Sequence, residues 1–134
     1  MLSLSSSLLR NHASSFVRAS LRNASRNMSS VINLSDGSAI NKFEDIKKKR
    51  ILYFTAVWCP PCKMIKPVYT KLAKEYPEIA FGKVDIDEAQ DAAMDFEISS
   101  VPTFIFFNDK DTIGRFSGAD ENQLENLIKN LEDA

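Results

Sequence analysis

A chain of 134 residues, 44% of them hydrophobic, has room for one core and hardly two, since domains typically run to about 100–150 residues. The overall charge of −1 hides an asymmetry: residues 1–30 hold four arginines and no acid, which leaves residues 31–134 with 13 basic and 18 acidic side chains. A domain that is acidic on balance lacks the basic patch that displaces counterions from nucleic acid. The two cysteines are too few for a secreted disulfide framework, and no stretch approaches the roughly 18–20 apolar residues of a membrane span.

The first thirty residues have the composition of an address. Leu9, Ala13, Val17 and Leu21 recur every four positions, with Phe16 and Ala24 widening the stripe and Arg18, Arg22 and Arg26 beside it. An Arg-rich, Ser-rich, acid-free amphipathic segment is the pattern of a mitochondrial or plastid transit peptide. Arg10, Asn11 and His12 break the apolar run a secretory signal would need. The expectation is a mitochondrial transit peptide over 1–30, with plastid as the alternative, cleaved within 23–31. His12, the single histidine, would leave with it.

The mature part, 31–134, opens with a short apolar stretch, Val31 to Leu34. Ile40, Phe43 and Ile46 then share one helical face, capped by Asp36 or Ser38, with the basic run Lys47 to Arg50 at the negative end of the helix dipole. Ile51 to Ala56 is a continuous apolar run, as expected of a strand buried on both faces. Cys59 and Cys62 follow it at once. Met64, Ile65, Val68, Tyr69, Leu72 and Ala73 form the stripe of a second helix to about Tyr76, with Pro67 predicted to kink it.

Ile79 to Asp85 predicts another buried strand, and Ala89 to Phe96 a short helix. Thr103 to Phe107 and Thr112 to Ser117 predict a hairpin joined by Asn108 to Asp111, although no Asn-Gly or Asp-Gly marks the turn. Asp120 with Gln123 signals the start of a last helix, whose face is Leu124, Leu127, Ile128 and Leu131. The order β-α-β-α-β-α-β-β-α combines crossovers with a terminal hairpin, and predicts an α/β fold with a mixed sheet covered by helices on both faces.

Two cysteines at i and i+3 on a helix start can bond to each other or share a metal. A structural zinc takes four ligands, usually Cys or His, and the mature part holds two such residues, so zinc would need a cysteine-bridged dimer. Cys-His catalysis lacks its base. A redox pair needs nothing more: the helix N-terminus lowers the pKa of Cys59, its thiolate opens a substrate disulfide, and Cys62 one turn on resolves the mixed disulfide. A Cys-X-X-Cys beside a βαβ pattern is a recognised sign of that chemistry.

Trp58-Cys59-Pro60-Pro61-Cys62-Lys63 resembles the active-site hexapeptide of thioredoxins, and the likeness extends over nearly all of residues 31–134. Pro67 falls where that family's second helix kinks. Val101-Pro102-Thr103 resembles its cis-proline loop, and Asp85-Ile86-Asp87 and Phe116-Ser117-Gly118-Ala119 resemble the segments flanking the substrate groove. The resemblance implies a thioredoxin fold of about five strands and four helices, with Cys59 as nucleophile and Cys62 as resolving thiol. Trp58, Val101, Pro102 and Gly118 would bind substrate, with Pro102 cis and Trp58 a partly exposed lid.

It further implies a monomeric protein-disulfide reductase with no bound cofactor or metal. Such a protein would be recycled by a thioredoxin reductase that draws on NADPH, and would act on disulfide-bearing targets such as peroxiredoxins in the mitochondrial matrix. The alternatives are a redox-inactive binding module of the same fold and a cysteine-bridged dimer holding zinc or an iron–sulfur cluster.

Two departures stand out. Tyr53 occupies the place, six residues before the first cysteine, where most of the family has a buried Asp that assists proton transfer to the second thiol. Plant mitochondrial members of the o type resemble this chain there. A phenol ionises near pH 10, and later when buried, so Tyr53 cannot replace a carboxylate as base. Lys83, similar to the family's lysine near that Asp, would then serve as proton donor, work through water, or only pair with other groups. Pro60 stands where Gly is commoner; it has no N–H to offer a sulfur, and Pro61 further restrains it, so the N–H of Cys62 becomes the nearer donor.

Overall fold

A computed structural model describes residues 31–134; the transit-peptide expectation and His12 lie outside the described residues. Five strands form one mixed sheet: β1 (Ile32–Asn33), β2 (Lys49–Thr55), β3 (Ala80–Asp85), β4 (Thr103–Asn108) and β5 (Asp111–Ser117), in the order β1-β3-β2-β4-β5. β3 is parallel to both β1 and β2, while β4 is antiparallel to β2 and to β5. Four helices complete it: α1 (Gly37–Glu44), α2 (Pro60–Glu75), α3 (Gln90–Asp95) and α4 (Glu121–Asp133).

β2 is central, and its continuous apolar run is explained by a core on each side. Ile51 and Tyr53 face one cluster, with Tyr69 and Leu72 of α2, Leu124 and Ile128 of α4, and Phe104 and Phe106 of β4. Leu52 and Phe54 face the other, with Ile40 and Phe43 of α1, Ala92 of α3, Val84 and Ile105. Such a strand cannot alternate polar and apolar residues, because neither face meets water.

Three expectations are corrected. α1 ends at Glu44, so Ile46 lies beyond it and is 43% exposed. The Asp36 carboxylate caps this helix by accepting from the N–H of Ala39 at 2.8 Å. The basic run is not its solvated end either: Lys49 and Arg50 belong to β2, pairing with Asn108 and Phe107, and Arg50 is buried. Sheet pairing outweighs the helix dipole there, since each strand residue gains ladder bonds whereas the dipole acts only over the last turn. Met64, placed on the core stripe of α2, is 74% exposed.

Other differences are of one or two residues. α2 begins at Pro60, directly after Cys59 as the placing of the cysteines at a helix start predicts, and it runs on through Pro67. β4 and β5 extend further into the turn, leaving Asp109 and Lys110 as its tip, with Asp109 at φ 58°. Asp tolerates that left-handed conformation better than most residues, which is how the hairpin closes without glycine.

Candidate active site

The end of β2, the start of α2 and the loop before β4 meet at one end of the central strands. Cys59 caps α2: its backbone is extended (φ −97°, ψ 108°) and its Sγ accepts the N–H of Cys62 at 3.2 Å. Prolines fill the first two helical positions, where a missing N–H costs no helix bond and the fixed φ suits the helix. The remaining unpaired N–H is therefore aimed at the sulfur that would carry negative charge.

Cys59 and Cys62 are joined as a disulfide with Cα atoms 5.3 Å apart, the oxidised state of a dithiol pair. Both are almost fully buried, packed with Ala56 and partly buried Ile86 and Val101. Around them Val57 (74%), Trp58 (61%) and Met64 (74%) are exposed, as are Pro60 and Pro61. An apolar rim around a reactive sulfur is a surface that a partner protein can cover, since burying it on contact is favourable.

The Trp58 indole does not lie loose on that rim. Its Nε1–H donates to Asp87 Oδ2 at 2.8 Å, and Asp87 is itself set by its N–H on Asp85 Oδ1, also at 2.8 Å. The N–H of Ile86 bonds the carbonyl of Thr55 at 2.9 Å, tying this turn to the strand that precedes the cysteines. The Trp58–Asp87 bond spans 29 residues, so no local sequence pattern announced it.

Opposite Trp58, the carbonyl of Val101 lies 3.7 Å from Cys59 Sγ. The Val101–Pro102 peptide is cis, and the carbonyl of Pro102 accepts the N–H of Gly118 at 2.8 Å. Gly118 has φ 113°, a conformation that side chains oppose. Thr103 Oγ1 ties the loop further, to the Ser100 carbonyl and to Ser117 Oγ, each at 2.7 Å. Val101 thus lies beside Cys59, in a loop that the Pro102–Gly118 bond ties to the end of β5.

Tyr53 and Lys83 lie on the other side of the pair. Both line a cleft of about 650 Å³ that reaches Cys62 and also involves Thr55, Lys66 and Asp85. The Tyr53 hydroxyl donates to the carbonyl of Cys62 at 3.0 Å. Burial pushes the Tyr53 phenol above its ordinary pKa, and the Thr55 hydroxyl offsets only part of that. Tyr53 is neutral at physiological pH, a donor to the backbone and not a base. Among the described residues, no group of three or more His, Cys, Asp or Glu side chains is placed to hold a metal ion.

Comparison with known proteins agrees with this geometry. The family model described as Thioredoxin matches residues 30–132. The protein "Thioredoxin-3, mitochondrial" of Saccharomyces cerevisiae is 38% identical over 109 residues, covering 79% of this chain and 86% of that relative. The "TPR repeat-containing thioredoxin TDX" of Arabidopsis thaliana is 41% identical over 109 residues; they are 78% of this chain but only 29% of that longer protein. Among solved structures, a chain from "Structural basis of the thiol resolving mechanism in yeast mitochondrial 1-Cys peroxiredoxin via glutathione/thioredoxin systems" superposes with a TM-score of 0.71 at 35% identity. It covers 77% of this chain and 97% of that one.

Proposed function

The chain belongs to the thioredoxin family, whose members are thiol-disulfide oxidoreductases without a bound cofactor, and we propose that it is a protein-disulfide reductase working through Cys59 and Cys62. The observation that carries this is a cysteine pair at disulfide distance on a helix N-terminus, facing the Val101 loop.

In the reduced protein, the Cys59 thiolate attacks one sulfur of a substrate disulfide. A Cys59–substrate disulfide forms and the other substrate sulfur leaves as a thiolate. The Cys62 thiolate then attacks Cys59 Sγ, closing the Cys59–Cys62 disulfide and releasing the second substrate thiolate. Two electrons pass to the substrate, which ends as two thiols. Val101 pairs its backbone with the substrate strand, while Trp58, Pro102 and Gly118 shape the groove. Pro60 and Pro61 keep the first turn rigid, so that Cys62 N–H remains the donor to the Cys59 sulfur.

Cys62 loses its proton to solvent in the cleft, where the cation of Lys83 favours the thiolate, and Tyr53 takes no proton. A thioredoxin reductase supplied by NADPH restores the dithiol. Peroxiredoxins are among the targets, a class supported by the structural neighbour's description. Residues 1–30 act as a transit peptide cut within 23–31, leaving a monomeric domain, 31–134, in the mitochondrial matrix. Its composition and the yeast relative's mitochondrial name support this.

The decisive assay supplies the full chain with NADPH and thioredoxin reductase and follows insulin disulfide reduction. Turnover is expected from the wild type and none from Cys59→Ser, while Cys62→Ser accumulates a mixed disulfide that reductant releases. Wild-type turnover no greater than that of Cys59→Ser would end the proposal. A fluorescent protein carrying residues 1–30 is expected in mitochondria; its appearance in plastids or cytosol would refute the matrix address.

A further inference from the structure

We propose that Arg115, on the outer strand of the sheet, is a positioning residue for substrate recognition: it fixes the segment that carries Val101. The inference rests on the reductase assignment. The approach to Val101 begins at the end of α3, where Glu97 adopts φ 52°, a left-handed conformation that glycine takes freely and other side chains resist. The chain turns there by a Schellman arrangement: Ile98 N–H bonds the Ala93 carbonyl at 2.8 Å, and Glu97 N–H bonds the Met94 carbonyl at 3.0 Å. Glycine is the usual residue at this position. Here it is Glu97.

Arg115 supplies what the missing glycine does not. Its Nη1 donates to the Phe96 carbonyl at 2.7 Å and its Nη2 to the Glu97 carbonyl at 2.8 Å. The planar fork thus grips two successive carbonyls on either side of the left-handed turn, and its charge meets the negative end of α3. Register explains why it can reach. Phe116 turns toward the cluster under α4 and Gly114 lies against Leu127 of that helix, so Arg115 projects to the opposite face, over α3.

From Glu97 only three residues lead to Val101, whose carbonyl lies 3.7 Å from Cys59 Sγ. The far end of the loop is already held by the Gly118–Pro102 and Thr103–Ser100 bonds. Arg115 holds the near end. A loop fixed at both ends meets a substrate strand in the paired geometry, and the ordering cost on binding is lowered.

The test compares a protein disulfide, insulin, with a small aromatic disulfide that reaches Cys59 without pairing along Val101. In the full chain, Arg115→Gln is expected to raise KM for insulin about fivefold, the factor that one net hydrogen bond represents, with kcat little changed. Its rate with the small disulfide and its redox potential stay at the wild-type values. Arg115→Lys, which keeps the charge but not the fork, falls between. Adding Glu97→Gly to Arg115→Gln restores most of the insulin KM, because glycine holds the turn unaided.

Equal losses on both disulfides, an unchanged insulin KM, or no rescue by Glu97→Gly would each overturn the inference. A wild type inactive on both disulfides would instead bring down the reductase assignment, and this inference with it.

Discussion

Tyr53 changes the chemistry expected of the second thiol. Its hydroxyl is a donor to the Cys62 carbonyl at 3.0 Å, and burial keeps the phenol protonated. It therefore braces the first turn of α2 against β2 without exchanging protons in the working range. Tyr53→Phe should cost about 1 kcal/mol of stability, the net worth of one hydrogen bond. It should leave the pH dependence of disulfide reduction between about pH 6 and 9 unchanged, because the group removed ionises above that range. Tyr53→Asp should add an inflection to the same profile, since a carboxyl buried there has its pKa raised toward neutrality. Stopped-flow reduction rates across that range check both, and a profile altered by Tyr53→Phe would show that the phenol carries the proton. The identity of residue 53 was legible in the sequence, and so was its inability to act as a base. Its bond to the Cys62 carbonyl was not, because a backbone acceptor has no letter of its own.

The same blindness recurs for whole elements. The continuous run in β2, the Asp36 cap of α1 and the Asp120 cap of α4 are local patterns, and each element formed where its pattern lies. Arg50 was misplaced because its partners are backbone carbonyls, which have no signature in the sequence, and its strand partner Phe107 lies far along the chain. The Arg50 guanidinium reaches the carbonyls of Lys47 at 3.1 Å, Lys48 at 3.0 Å and Asp109 at 2.8 Å, and lies 5.4 Å from the Phe107 ring centroid. Among the described residues, the two non-glycine positions with positive φ are Glu97 and Asp109. An arginine grips the carbonyl of each. Charged donors thus hold turns that lack glycine at both ends of the sheet. Arg50→Met keeps the apolar stem but leaves three carbonyls without this donor. It should lower unfolding stability by about 2 kcal/mol, or roughly 10 °C in Tm for a domain of this size. Arg50→Lys should recover only part, having no fork. Thermal melts of the three proteins decide this, and an unchanged Tm in Arg50→Met would mean that water serves those carbonyls equally well.

At the scale of the molecule, the sheet separates two cores, and one of them holds two phenols packed at a tilt. Tyr53 and Tyr69 lie with ring centroids 4.8 Å apart, both buried. Tyr69 donates to the Gly82 carbonyl at 2.8 Å, and burial, reinforced by the nearby Tyr53, pushes its pKa well above the ordinary value while the Gly82 bond opposes this only partly. In the unfolded chain both ionise near pH 10. Because the folded pKa values are raised, the folded state retains protons that the unfolded state loses. The stabilisation from these phenols is then complete below about pH 10 and is lost as pH climbs above it. Each proton withheld steepens the fall by at most about 1.4 kcal/mol per pH unit. Urea unfolding at intervals from pH 8 to 11.5 measures that slope. In Tyr69→Phe the protein starts less stable, having lost a buried hydrogen bond, yet its alkaline slope should be shallower than that of the wild type. A slope unaffected by the substitution would show that Tyr69 does not carry the alkaline loss of stability.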